Sequence, residues 1–241
     1  MQTLHEPLSL RGGEADVAIR IAIPSDFSGI AALWGEAFGD SLKAVSFFFR
    51  TFPNCLSYVI EEKGRIVSMV HALPQILSPE LPAAYVYAVA TAQTHRGRGL
   101  CRQLMAFAED DLKQRGFACC VLTPGEPSLF RFYEALGYET AFFRKHTPFS
   151  GGRPISAAAY AALRERVLTG SHMVCDLPTL EYAAAVYGLT FYETDTGCAA
   201  VGETYTAEVL PEDLGGTPFA MCKWLGEPQT LPPAYLGFAL E

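Results

Sequence analysis

"ATAQTHRGRGLCRQLMAFAEDDL", residues 90–112, changes character twice within a few positions. It begins with small, strand-compatible residues, crosses a turn holding two glycines and two arginines, and then takes on the apolar spacing of a helix. Leu100, Leu104, Phe107, Ala108 and Leu112 fall on one stripe and Glu109, Asp110 and Lys113 off it, so a helix is expected from about Gly99 to Arg115, ended by Gly116. A strand that gives way to a glycine turn and then a helix leaves main-chain N–H groups free to face an anion. Gly97 and Gly99 let the backbone approach without a Cβ in the way, and the helix N-terminus adds a favourable dipole. Arg96, Arg98 and Arg102 bring charge, Cys101 completes the site, and Leu100 between them lends a backbone donor. The turn therefore reads as a pyrophosphate cradle. It is not a dinucleotide-binding G-x-G-x-x-G, because Arg102 stands where the third glycine belongs, and no G-K-[ST] comes after it for a Walker loop.

Outward from this turn the pattern is α/β. "DVAIRIAI" (16–23) has strand composition, and Pro24-Ser25-Asp26 opens the helix "FSGIAALWGEAFG". "SLKAVSFFFRTF" is a second helix candidate. "CLSYVIEEKGRIVSMVHALPQIL" reads as two strands joined around Lys63-Gly64. "AYVYAVAT" (84–91) is almost continuously apolar, which predicts a central strand buried on both faces. After the glycine turn and its helix come a strand "FACCVLTP", a short helix "SLFRFYEAL" and a returning strand "GYETAFFRKHTPF". This order predicts an α/β domain with a mixed central sheet flanked by helices. Residues 1–16 form an N-terminal extension, and 150–156, "SGGRPIS", is the linker candidate. Residues 157–241 are expected to make a small C-terminal α/β domain or an extension of the sheet. They hold two helix candidates, "SAAAYAALRERVL" and "LPTLEYAAAVYG", then strand-like "GCAAVGETYTAEVLP" and "AYLGFALE", with "PFAMCKWL" open between strand and helix.

A net charge of -8 argues against a general nucleic-acid binder, which needs a broad basic face. Seven cysteines form no C-x-x-C pair, so reduced core thiols are expected, with neither a disulfide frame nor a zinc site. The apolar runs fall short of the ~20 residues of a membrane helix and the first residues do not read as a secretion leader. A cytoplasmic protein that engages no membrane is the expectation.

The turn, together with the strand and helix downstream of it, resembles the GNAT N-acetyltransferase superfamily, whose pyrophosphate loop reads [QR]-x-x-G-x-[GA] between a central strand and a long helix. Arg96-x-x-Gly99-x-Cys101 fits except at the last position, where cysteine brings a Cβ. The likeness runs from about Ile19 to His146, because "VATAQTHRGRGLCRQLM" is succeeded at suitable distance by "ACCVLTPGEPSLFRFYEALGY". The resemblance implies a GNAT domain over 17–149, acetyl-CoA or another acyl-CoA as co-substrate, and an amine acceptor, of a small molecule or peptide, acylated directly in a ternary complex. It also implies that main-chain groups of Val89 and Thr91 lie beside the pantetheine arm, and that Tyr133 protonates the departing CoA thiolate. A phenol suits that task. As a residue alone, Tyr133 reads as a core aromatic on an amphipathic helix beside Phe130, Phe132 and Leu136.

A general base is less visible, because "AYVYAVAT" contains no Asp or Glu, so deprotonation through water is expected. Glu36, Asp40, Tyr87 and His71 are candidates to line an amine groove; each also reads blandly, as surface acids, a packed ring and a satisfied strand histidine. Trp34, Phe38 and "SFFF" (46–49) offer an aromatic wall where the family's acceptor enters. GNAT proteins of the enhanced-intracellular-survival type bring a C-terminal carboxylate to the amine, which makes that of Glu241 a candidate. A GNAT-fold acyl-CoA sensor without catalysis, or a ligand-free interaction module, are the alternatives. Exposed strand edges permit a homodimer.

Overall fold

The structure, a computed structural model, describes residues 8–9, 17–228 and 234–237. They fall into two compact units, one drawn from Met1–Pro74 and Ala84–Gly116, the other from Gln75–Ala83 and Phe117–Glu241.

The first unit holds β1 (Leu8–Ser9), β2 (Val17–Ile21), β3 (Leu56–Glu62) and most of β4 (Arg65–Leu77) and β5 (Leu81–Thr91), which succeed one another in sheet order, the first three pairings antiparallel. Helix α1 (Phe27–Phe38) enters through a 3-10 turn at Pro24–Asp26. Asp26 fixes that entry, because its carboxylate takes the Ile23 N–H at 2.8 Å and both Arg20 guanidinium arms at 2.6 and 2.9 Å. Gly39, at φ 78°, stops the helix in the left-handed conformation. Helix α2 (Leu42–Thr51) is capped by Ser41, whose Oγ accepts from Ala44 N at 3.2 Å. The Lys63-Gly64 hairpin is present, with φ of 52° and 75°, the positive pair a two-residue turn requires. Helix α3 (Leu100–Gln114) contacts β2 and β3. Leu104, Met105, Ala108 and Leu112 are buried on its inner stripe. Buried Asp111 is satisfied by Tyr58 Oη at 2.8 Å and Arg115 Nε at 2.6 Å.

The central strand departs from its expected uniform burial. Ala83–Val86 are buried, but Tyr87, Ala88 and Val89 are half-buried and Ala88 sits at φ 47°. That conformation is costly for a residue with a Cβ. Because it falls on an alanine, no glycine marked it in the sequence.

The second unit contains β6 (Cys119–Leu122), α4 (Pro127–Glu134) and β7 (Glu139–Arg144). It also holds a separate sheet of β8 (Arg153–Ile155), β9 (Thr190–Glu193), β10 (Cys198–Val201) and β11 (Thr206–Leu210), in the order β11-β10-β9-β8, with α5 (Ala157–Val167) and α6 (Leu177–Tyr187). Arg153–Ile155 lie inside the expected linker, yet they pair with β9; Pro154 is tolerated because β8 is an edge strand. The ambiguous "PFAMCKWL" is a strand, β12 (Thr217–Trp224), lodged between β6 and β7 and antiparallel to both. Ladders on either side and the burial of Ala220, Met221 and Cys222 settle its conformation. Thus the C-terminal region both adds a sheet and completes another. Of "AYLGFALE", Ala234 and Tyr235 form isolated bridges, to Phe142 and His172; Glu241 lies outside the described residues.

Arg164, on α5, is fully buried. Its Nε meets Glu208 at 3.0 Å, and its Nη1 and Nη2 donate to the carbonyls of Met173 at 2.8 Å and Leu236 at 3.3 Å. Tyr160 Oη donates to the same carboxylate. Gly237 closes over the pair at φ 94°, where a Cβ would stand 2.6 Å from both Arg164 Nη2 and Glu208 Oε2.

Candidate active site

Strand β5 runs through Thr91 and Ala92 into a single 3-10 turn, Gln93–His95, and then into Arg96-Gly97-Arg98-Gly99 at the head of α3. Gly97 and Gly99 both adopt left-handed conformations, at φ 76° and 74°. A Cβ on Gly97 would meet nothing within 4 Å, so glycine is there for its backbone. Gly99 is the N-cap of α3 and has no side chain of its own to cap it. The first helical N–H groups therefore keep their donors for an outside partner. Gln103 N makes the first bond back to Gly99 O, at 3.1 Å.

Four contacts hold the loop from behind. Glu36 Oε1 accepts from Gln93 N at 2.8 Å, and Arg96 Nε donates to Thr91 O at 3.1 Å. Arg98 grips Glu62, at the end of β3, through two hydrogen bonds of 3.1 and 2.8 Å, and His95 Nε2 stands 2.7 Å from the same carboxylate. Arg98, with help from His95, pushes the Glu62 carboxyl down to about 2. Arg102 is exposed on the first turn of α3. Leu100 is buried, and Cys101 is half-buried, its thiol pushed up by burial to about 11, so it adds no charge at neutral pH. Val89 is half-buried, and the Thr91 hydroxyl lies 2.9 Å from Ser68 Oγ, which in turn donates to Ala90 O at 3.1 Å.

A second cluster belongs to the same unit. Trp34 is buried and surrounded by His71 with ring centroids 5.0 Å apart, Phe48 at 5.1 Å, Tyr87 at 5.8 Å, Phe49 at 6.0 Å and Phe38 at 6.1 Å. Asp40 takes the Trp34 indole N–H at 2.8 Å. His71 has no exposed surface; its Nδ1 lies 2.8 Å from Ser57 Oγ, and its Nε2 has no hydrogen-bond partner among the described residues. Burial pushes this imidazole down to about 3, so it is neutral at physiological pH. An orphaned ring nitrogen in such a place costs about 1–3 kcal/mol. The bland expectation of a satisfied strand histidine is thus met at one nitrogen only.

Of the proposed groove residues, Asp40, Tyr87 and His71 join the ring cluster, while Glu36 serves the loop. Tyr133 is buried on α4 of the second unit, its ring 5.2 Å from Phe132 and 5.7 Å from Tyr138. The sequence reading missed the roles of Glu62, His95 and Ser57. Glu62 and Arg98 are 36 positions apart, so no local pattern links them. No group of three or more metal-ligating side chains occurs among the described residues, and no helix there is long and apolar enough to cross a membrane.

Residues 18–141 match the family model described as the acetyltransferase (GNAT) domain. The chain is 29% identical over 127 residues to YhbS of Escherichia coli, described as an uncharacterised N-acetyltransferase, covering 51% of this chain and 74% of the relative. A crystal structure of E. coli YhbS in complex with CoA aligns at 27% identity over 54% of this chain and 73% of that one, with a TM-score of 0.47. Longer alignments at lower identity show the fold: a GCN5-related N-acetyltransferase from Kribbella flavida (TM-score 0.59, 17% identity, 79% of this chain, 55% of that one) and Eis1 from Mycobacterium abscessus (0.60, 15%, 76% and 53%). The aligned part spans about half the length of those two proteins. The α/β class and the mixed central sheet agree with these folds, and a further C-terminal sheet is present. With half of its length matched by the family model and its glycine turn leading into an uncapped helix, this chain belongs to the GNAT family of acetyltransferases.

Proposed function

We infer that the protein transfers an acetyl or other acyl group from CoA to the primary amine of a small molecule or peptide, directly, in a ternary complex. The observation that carries this is the loop at residues 96–102. Two left-handed glycines lead into an uncapped helix N-terminus between exposed Arg96 and Arg102, in a chain that is otherwise acidic. Such a loop suits the diphosphate of CoA, its backbone donors coming from Gly97, Gly99, Leu100 and Cys101. Arg96, Arg98 and Arg102 bring the positive field, that of Arg98 partly answered by Glu62. Main-chain groups of Val89 and Thr91 are assigned to the pantetheine arm, a role that the kink at Ala88 supports by turning the local backbone from regular strand geometry.

The reaction joins the amine nitrogen to the thioester carbonyl carbon and breaks the carbon–sulfur bond. Nitrogen gives up one proton and sulfur takes one up, so an amide and a free thiol form with no net proton change. Tyr133 is proposed as the donor to sulfur, on its place in "FRFYEALGY". Buried free thiols at Cys119, Cys120, Cys175, Cys198 and Cys222 support a reducing, cytoplasmic setting. Acetyl-CoA added to the purified chain is expected to raise its melting temperature, and a thiol-release screen against pooled amines to give turnover. Absence of both results rejects the reading.

A further inference from the structure

The ring cluster around His71 has a feature that packing does not explain. A phenylalanine at position 71 would fill the same space without burying an orphaned nitrogen. Instead the site holds an imidazole whose Nδ1 is steadied by Ser57, 2.8 Å away, and whose Nε2 meets nothing. In the tautomer where Nδ1–H donates to Ser57, Nε2 presents a lone pair. Around the imidazole ring, centroid to centroid, stand Trp34 at 5.0 Å, Phe49 at 5.4 Å and Phe48 at 6.4 Å, with Tyr87 stacked on Phe48 at 5.3 Å. Phe49 and Tyr87 are the half-buried rings of this set, and beyond them Phe38 and Leu42 are 49% and 62% exposed, forming an apolar rim at the turn between α1 and α2.

We propose that His71, within the rings of Trp34, Phe48, Phe49 and Tyr87, is the recognition group for the acceptor, and that the acceptor is a weakly basic aromatic amine that enters uncharged and donates an N–H to His71 Nε2. The inference rests on the acyl transfer proposed above and adds the substrate class. Flat rings on several sides select a flat apolar body. An ammonium group would need a buried counter-charge, and His71 has no ion-pair partner among the described residues; Asp40 is exposed and meets the set only through the Trp34 indole. The imidazole is too weak a base to strip an alkylammonium ion, since burial holds it neutral down to about pH 3. It is well matched to an amine that arrives neutral. Because Nε2 has no exposed surface, binding requires one of the half-buried rings, Phe49 or Tyr87, to move aside.

The test uses the full chain carrying Trp224→Phe, so that Trp34 is its only tryptophan reporter. Aniline is expected to quench Trp34 fluorescence saturably, with an affinity constant from pH 7 to 9. Benzylamine, of similar shape but strongly basic, is expected to bind poorly at pH 7 and to gain about tenfold per pH unit until it is neutral; spermidine is expected not to bind. The titratable groups beside the set are Asp40, Tyr87, Tyr85 against Tyr87 and Cys55 against Ser57, and the aniline series reports any contribution from them. His71→Phe should weaken aniline more than tenfold, with His71→Gln, which keeps an acceptor, in between, while the acetyl-CoA thermal shift stays unchanged in both. Benzylamine bound at pH 7 as tightly as aniline, no saturable aniline signal, or full aniline affinity in a folded His71→Phe chain each overturns the proposal. Should His71→Phe fail to fold, the pH series decides alone. A missing acetyl-CoA shift in the parent chain rejects the acyl-transfer reading, whereas the aniline titration still judges the acceptor site.

Discussion

Arg98 and Glu62 face each other through paired hydrogen bonds, Nη1 to Oε2 at 3.1 Å and Nη2 to Oε1 at 2.8 Å, with His95 Nε2 a further 2.7 Å contact on the same carboxylate. The end of β3 thereby holds the glycine turn of the next helix from behind. It also places a negative charge beside a loop assigned to phosphates, so Glu62 trades anion affinity for loop order.

Removing that charge has a definite sign. Glu62→Gln is expected to tighten acetyl-CoA binding roughly threefold to tenfold at low ionic strength, with the gain shrinking as salt is raised. Calorimetric titration at two salt concentrations reads it directly; weaker binding in the variant at both would remove Arg98 from the phosphate field.

The same pair fixes a pH dependence. The folded carboxyl of Glu62 is held at about 2, below its ordinary 4.5. A depressed acid adds its stability above the unfolded value and loses it as pH falls through the interval from 4.5 toward 2. Chemical unfolding of the parent chain between pH 6 and pH 3 should therefore show a steeper loss than Glu62→Gln shows. Equal slopes would deny the linkage.

Gly99→Val places a branched side chain at φ 74° on the α3 N-cap. We expect a stability loss of about 1–2 kcal/mol from the backbone alone. The acetyl-CoA thermal shift should vanish in the folded variant. Retained affinity would show that residues 96–102 do not hold the co-substrate.

Tyr133→Phe separates chemistry from binding. If the phenol donates to sulfur, kcat falls by about 10²–10⁴ while the affinity for acetyl-CoA is kept. An unchanged kcat would return Tyr133 to the packing role it shares with Phe132 and Tyr138, at 5.2 and 5.7 Å.

Arg164→Ala strands the Glu208 carboxylate inside the second unit, where neither side chain has exposed surface. A loss of about 3–5 kcal/mol is expected in urea titration. A shift within experimental error would mean that water reaches the vacated space.

Periodicity and turn residues were enough to place most elements, because both act over a few positions. The stripe from Leu100 to Leu112 yielded α3, Lys63-Gly64 yielded the β3–β4 hairpin, and the two glycines before Leu100 yielded the left-handed loop. Linker and strand composition misled at Arg153–Ile155, since an edge position accepts the proline that suggested a break. "PFAMCKWL" was undecidable alone, because its conformation depends on ladders to β6 and β7.

What the sequence by itself determined is the family, the α/β class and the glycine turn, all written in residues close together along the chain. Only the tertiary structure decided which side chains meet: Glu62 with Arg98 across 36 positions, Glu208 with Arg164 across 44, and His71 with Ser57 inside a wall of rings. Those encounters arise from sheet register and helix packing, which bring distant residues together, the first at the surface and the other two in a low-dielectric interior. There a charge or a ring nitrogen takes its properties from its surroundings and not from its neighbours in sequence.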